Sequence, residues 1–77
     1  MDKSDFLNKI EEIIEVEENS LTGSELLEDL EDWDSLAVMG FIAMIDVNFS
    51  LTIKAEKINE CKTVNDLASL LGDHVSN

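Results

Sequence analysis

The segment that most constrains the fold is apolar on nearly every side and runs from Leu36 to Phe49, as LAVMGFIAMIDVNF. A helix that is apolar all round either lies at the centre of a bundle or turns a spare face toward a partner. The residues that we expect to reach the core are Leu36, Met39, Ile42, Ala43, Ile45 and Phe49. Gly40 interrupts the segment at a cost of about 1 kcal/mol relative to alanine. It is either a tolerated defect or a point of close backbone approach by a partner.

Apolar residues at helical spacing predict two further long helices. The stripe near the N-terminus consists of Phe6, Leu7, Ile10, Ile13 and Ile14. The stripe of the last helix consists of Val64, Leu67, Leu70 and Leu71. Thr63 and Asp66 have the spacing of a capping box at its start, and Gly72 can close it. Before it, KAEKINE supplies one or two helical turns with Ile58 facing inward.

A long connection from Asn19 to Asp34 separates the first two helices. Its turn-forming residues break the helical periodicity, but Leu21, Leu26, Leu27 and Leu30 keep returning, so we expect the leucines to anchor a loop that carries function. The chain has no proline and only three glycines. We therefore predict an all-α fold, a small four-helix bundle with three main helices, a short third helix and a long first loop. Residues 1–77 form a single domain on this prediction.

The charge is strongly negative, with five lysines against 18 acidic residues and a net charge of −13. No lysine occurs from Ile10 through Ile53. Such a field repels the phosphates of nucleic acids and of anionic membranes but steers a basic protein surface toward the chain. Glu15, Glu17 and Glu18 follow the first helix, where its dipole disfavours carboxylates. A local conflict of this kind tends to mark function or a bound cation.

The remaining signals concern location and assembly. Cys61 is the only cysteine, so an intrachain disulfide is impossible. The N-terminal residues lack the pattern of a signal peptide, and the longest apolar run is shorter than the ~20 residues of a membrane span. We expect a soluble, cytoplasmic monomer that does not insert into membranes.

Catalytic and metal-binding patterns are weak. The single histidine, His74, lies near the C-terminus, and no serine has a G-x-S-x-G context. An EF-hand loop starting at Asp29 would place Trp33 at a ligand position and Gly40 where glutamate is required, so it fails. We expect no catalytic residue and no metal site, although loose divalent binding by the acidic loop stays open.

The tripeptide Asp34-Ser35-Leu36 lies where the acidic loop meets the apolar helix. The simplest interpretation is that Asp34 or Ser35 caps the helix and Leu36 begins its buried stripe. The alternative is that Ser35 carries a covalently attached phosphate, because the exposed N–H groups of a helix start favour anions. The serine hydroxyl would there be accessible to a modifying enzyme.

Over nearly its whole length, from the first helix through DSL to KTVNDLASLL, the chain resembles an acyl carrier protein. The resemblance implies a non-catalytic protein that carries acyl groups as thioesters on a 4'-phosphopantetheine arm, which comes from coenzyme A and is attached to Ser35. It also implies that Asp34 assists a magnesium-dependent phosphopantetheinyl transferase and that Leu36 serves packing and partner recognition. Acyl-transferring and acyl-modifying enzymes would dock through basic patches.

The sequence departs from that family where partners bind. Carriers for fatty-acid synthesis usually have several acids along the second helix, whereas only Asp46 is kept here. Either recognition has moved to the loop acids or the outer face of the helix is buried. In the first case the predicted contacts are Glu28, Asp29, Glu31, Asp32 and Asp46 with Trp33, Val38 and Phe41 as apolar partners. Trp33 is equally compatible with a structural plug under the loop.

Two functions are compatible with the sequence. The preferred function is an acyl carrier in fatty-acid biosynthesis or in a specialised acyl, aminoacyl or secondary-metabolite pathway. The specialised pathway agrees better with the low number of acids on the second helix. The alternative is an acidic helical protein interaction module without a prosthetic group. For a carrier, an expandable core around Leu27, Met39, Ile42, Met44 and Ile58 could shelter the acyl chain, although ordinary core packing explains the same residues.

Overall fold

The computed structural model describes residues 1–76; Asn77, the last residue of the predicted domain, lies outside the described part. The helices are α1 (Lys3–Ile14), α2 (Ser35–Phe49), α3 (Ala55–Asn59) and α4 (Val64–Leu70). Single 3-10 turns occupy Leu27–Asp29 and Gly72–His74. This confirms the predicted small helical bundle with three longer helices and a short third one. No helix in the described residues is long and apolar enough to cross a membrane.

Helix α2 packs against α1 and α3 through one face. The side chains of Ala37, Phe41 and Ile45 point inward at steps of four residues, and Phe41 and Ile45 have no exposed surface. From α1, Phe6 meets Phe41 edge to face with ring centroids 6.0 Å apart. The aromatic pair lies in a core completed by residues from every helix and from the loop. The fully or almost fully buried members are Phe6, Ile10, Ile14, Leu21, Leu27, Ala37, Phe41, Ile45, Ile58, Val64, Leu67, Leu71 and Val75.

Three residues of α2 that we expected to reach the core are exposed instead. Leu36 is 75% exposed and Met39 is 65% exposed, and Ala43 is exposed as well. Ala37, Phe41 and Ile45 are buried and the residues beside them on the helix are partly buried, so only the opposite face meets solvent. Gly40 lies beside α1, where a β-carbon would be 3.4 Å from Ile13, which is an ordinary contact distance. The contact is therefore with the chain's own first helix.

The first loop, residues 15–34, is hydrogen-bonded to the rest of the protein in both its first and its second half. Glu11 on α1 is 1% exposed, and its two carboxylate oxygens each accept a hydrogen bond of 2.9 Å, from the backbone N–H groups of Asn19 and Leu21. Farther along, Leu27 donates its N–H to the Lys62 carbonyl at 2.8 Å. These bonds fix a segment that has no regular structure of its own apart from one 3-10 turn.

The acids after α1 form no cation site. The helix ends at Glu15, which adopts a left-handed backbone conformation with φ of 59°, and Glu15, Glu17 and Glu18 are all exposed to solvent. Within residues 1–76, no group of three or more acidic, histidine or cysteine side chains is placed to hold a metal ion. The carboxylates that follow α1 are solvated and the chain turns at Glu15. Both features weaken the unfavourable interaction of these carboxylates with the helix dipole.

The last helix begins as its sequence predicts. The Thr63 side chain accepts a hydrogen bond from the Asp66 N–H, and the Asp66 carboxylate accepts from the Thr63 N–H at 3.1 Å, which completes a capping box. The backbone N–H groups of Lys62 and Thr63 lower the pKa of Asp66 below its ordinary value. Directly after the cap, Val64 donates its N–H to the Glu25 carbonyl at 3.1 Å. The start of α4 is thereby tied to the first loop.

We expect Glu11→Gln to lower the free energy of unfolding by about 1–3 kcal/mol, because the amide would direct a donor at one of the two buried N–H groups. Glu12→Gln is the matched control, since Glu12 is exposed, and should change stability by no more than about 0.5 kcal/mol. Denaturant unfolding of both variants gives the comparison. Equal stability of the two variants would show that Glu11 does not anchor the loop.

Candidate functional site

The start of α2 is built by Asp34. Its backbone is extended, and its side-chain Oδ1 accepts a hydrogen bond of 3.0 Å from the Ala37 N–H. Its carbonyl accepts from the Val38 N–H, also at 3.0 Å. Asp34 is therefore the N-cap, and the choice between Asp34 and Ser35 left open by the sequence is settled. Ser35 is the first helical residue, and it is exposed.

The site at Ser35 favours a covalently attached phosphate. The first N–H groups of a helix, here those of Ser35 and Leu36, have no carbonyl partner inside the helix. Helix α2 is 15 residues long, and its dipole is positive at this end. A phosphate on the serine oxygen would lie beside these donors, which is a favourable position for an anion. The residues present thus fit a phosphodiester group at Ser35.

Asp32 and Asp34 lie just before this serine in the chain, and both are exposed. Two carboxylates near a hydroxyl create a negative potential that attracts a divalent cation or a basic protein surface. Asp34 therefore combines a structural role as the cap with an exposed charge next to the Ser35 hydroxyl. These two roles are separable by substitution, because asparagine caps a helix about as well as aspartate.

Trp33 precedes the cap and is partly buried. Its ring packs edge to face on Phe41, with centroids 6.1 Å apart and planes inclined by 71°. Beside it lies a groove of about 390 Å³ between the first loop and α3. The groove is lined by Leu27, Glu28, Leu30, Glu31, Trp33, Ile58, Asn59 and Cys61. The structure thus gives Trp33 a packing role on the core.

The predicted partner contacts divide into exposed and buried residues. Glu31, Asp32 and Asp46 are exposed, whereas Val38 is partly buried. Phe41 has no exposed surface, so its prediction as a partner contact is wrong. The reason is that Phe41 lies on the inward face of α2 between Phe6 and Trp33.

Sequence reasoning allowed for a spare apolar face on α2 and gave Leu36 both a packing and a recognition role, but it did not identify Met39 and Val47 as residues of that face. Leu36, Met39 and Val47 are 75%, 65% and 83% exposed and follow one another along the outer side of α2. We call these three residues the apolar stripe. Next to it is an open groove of about 360 Å³, lined by Met39, Ile42, Ala43, Asp46 and Thr52. The interpretation that the outer face of α2 is buried is therefore wrong. The signal was present in the sequence, because a helix apolar all round has more apolar residues than one buried face can hold.

The two other residues with reactive side chains have structural surroundings. His74 is exposed, and its ring lies 5.3 Å from that of Phe49. Burial raises the pKa of the Cys61 thiol, and the negative charges of Asp66 and Glu60 raise it further. A raised pKa makes the thiol a poor nucleophile.

Comparison with known protein families identifies the family of the chain. The family model described as phosphopantetheine attachment site matches residues 4–71. The chain therefore belongs to the phosphopantetheine-binding carrier family, as its resemblance to acyl carrier proteins predicted. Searches of curated proteins and of solved structures returned no significant match.

Membership establishes the general biochemistry. Proteins of this family carry covalently attached 4'-phosphopantetheine and are carriers without catalytic activity of their own. Phosphopantetheinyl transferases modify them, and they interact with enzymes. These statements confirm the predicted cofactor and the prediction that the chain is not an enzyme.

We expect Asp34→Ala to lower the free energy of unfolding by about 1 kcal/mol, because the Ala37 N–H loses its acceptor. Asp34→Asn keeps an acceptor oxygen at the same place, so its loss should not exceed about 0.5 kcal/mol. Thermal or denaturant unfolding of the unmodified proteins measures both. If asparagine and alanine were equally destabilising, the charge of Asp34 rather than its hydrogen bond would stabilise the helix start.

Proposed function

We propose that Ser35 is the attachment point of 4'-phosphopantetheine and that the chain presents acyl groups to a series of enzymes. The observation that supports this most strongly is that Ser35 is the exposed first residue of a capped 15-residue helix. The matched family region, residues 4–71, includes this serine. When bound, the prosthetic group supplies a flexible arm with a thiol that holds the acyl group as a thioester.

The neighbours of Ser35 have distinct roles in this proposal. The N–H groups of Ser35 and Leu36 donate hydrogen bonds to the attached phosphate. Asp34 holds the helix start in place, and its exposed charge assists the magnesium-dependent transferase. Leu36 is 75% exposed, so it contacts partner enzymes and not the core.

We infer that partner enzymes dock on the apolar stripe with its acidic surroundings. Glu28, Asp29, Glu31 and Asp32 lie on the loop before Ser35, and Asp46 lies on α2; all five are exposed. A basic rim on the partner would meet these acids, and apolar side chains would cover Leu36, Met39 and Val47. Trp33 and Val38, which are partly buried, lie at the edge of this surface.

The composition of the surface supports a specialised pathway over general fatty-acid synthesis. Along α2 the chain has Gly40, Ala43 and Val47, and Asp46 is its only acid. An apolar docking face requires an apolar counterpart on the partner. Enzymes that bind several acids along this helix through ion pairs would lose most of those ion pairs with this chain. We propose a dedicated acyl, aminoacyl or secondary-metabolite pathway in the cytoplasm, served by a monomeric carrier.

Incubation of the apo protein with coenzyme A and a phosphopantetheinyl transferase tests the proposal. Intact-protein mass spectrometry should show the gain of one phosphopantetheinyl group. The gain should be absent in Ser35→Ala and present in Ser69→Ala, a control at an exposed serine of α4. Asp34→Asn should slow the modification while leaving the fold intact.

Two results would contradict this proposal. The first is that several transferases of different specificity leave the mass unchanged, which would favour an interaction module without a prosthetic group. The second is an equal gain in Ser35→Ala, which would place the attachment at another residue.

A further inference from the structure

Three aromatic rings form a continuous series from the neighbourhood of Ser35 to the centre of the bundle. Trp33, two residues before the serine, packs on Phe41 at 6.1 Å, and Phe41 packs on Phe6 at 6.0 Å. Phe41 and Phe6 have no exposed surface. The indole of Trp33 is therefore the outermost member of the series and the only one in contact with solvent. The side chain two residues before Ser35 thus packs directly on the core.

The groove beside Trp33 is a poor place for an alkyl chain. Its lining includes the carboxylates of Glu28 and Glu31 and the amide of Asn59. An alkyl chain that covered these groups would remove them from water without offering hydrogen bonds, which is unfavourable. This groove suits a polar occupant.

Entry into the core requires displacement of the indole. The packing of Trp33 on Phe41 would be lost, and the buried part of the ring would return to water. This loss opposes the entry of any acyl chain, and a short acyl group has little apolar surface with which to offset it.

We propose that Trp33 closes the path from Ser35 into the bundle, so that the acyl group carried by this protein stays in solvent. The cargo is accordingly a short or polar acyl group, such as one bearing an amine or hydroxyl, and not a long alkyl chain. This inference rests on the proposed attachment at Ser35. It narrows the specialised pathway to one whose enzymes accept an exposed substrate.

The test compares the protein loaded with acetyl-phosphopantetheine and with octanoyl-phosphopantetheine, each transferred from the corresponding acyl-coenzyme A. Trp33 is the only tryptophan, so its fluorescence reports on this position alone. We expect the same emission maximum for both forms and melting temperatures that agree within about 1 °C. Mass spectrometry of each sample establishes that the acyl group is present.

Substitution of the indole should open the path. In Trp33→Ala, octanoyl loading should raise the melting temperature over acetyl loading by about 4 °C or more, since a buried chain stabilises a domain of this size by that order. Trp33→Phe is the matched control, because a smaller ring still packs on Phe41, and it should show a smaller difference. If Trp33→Ala does not fold, Trp33→Leu replaces it.

The outcomes separate this inference from the function on which it rests. A blue-shifted emission together with a higher melting temperature in the octanoyl form of the natural sequence would overturn it. A higher melting temperature without any change in emission would also overturn it, since the chain would then lie elsewhere, for example in the groove beside Met39. Failure of octanoyl to stabilise the opened variants would overturn the role of Trp33. Failure of both forms to gain mass would instead overturn the attachment at Ser35, and this inference with it.

Discussion

The edge-to-face contact between Phe41 of α2 and Phe6 of α1 determines the rest of the architecture. Both rings are fully buried, with centroids 6.0 Å apart. The contact fixes the rotation of α2 about its axis, because Ala37 and Ile45 lie on the same face as Phe41 and must follow it inward. The opposite face, with Leu36, Met39 and Val47, consequently faces solvent. The position of the serine and the exposure of the apolar stripe thus have one common cause.

The first loop depends on a second kind of interaction. Leu21 and Leu27 anchor it in the core, whereas Leu26 is 40% exposed. Hydrogen bonds add to these contacts, with the buried carboxylate of Glu11 accepting from the loop backbone at one end and backbone pairing near Lys62 at the other. A loop held in this way can present its acids close to Ser35 without a helix to carry them.

Much of this was predictable from local sequence signals. The periodicity of α1 and α4, the capping box at Thr63 and Asp66, and the helix start at Ser35 were all confirmed, because each depends on residues within one or two turns. The rotation of α2 was not predictable. A segment that is apolar on every side does not indicate which of its faces turns toward the core. Phe41 was therefore expected on the surface, and Leu36 and Met39 were expected in the core.

The anchoring role of Glu11 was equally hidden. A glutamate in the middle of an acidic helix is normally solvated. Its burial follows from the left-handed conformations of Glu15 and Asn19, with φ of 59° and 67°, which turn the chain back over the helix. Trp33 was left between two roles, because the burial of its packing partner Phe41 was not predicted. In each case the missing information was a tertiary contact that local pattern does not contain.

The central claim is that the start of α2 is a preformed support for a phosphate on Ser35. Two-dimensional ¹H–¹⁵N NMR spectra of the protein before and after phosphopantetheinylation test it most directly. The account predicts that the amide signals that shift are those at the helix start, chiefly Ser35 and Leu36, while Ile10, Ile45 and Leu67 in the core keep their positions. Shifts spread through the core, or unchanged signals at Ser35 and Leu36, would contradict it.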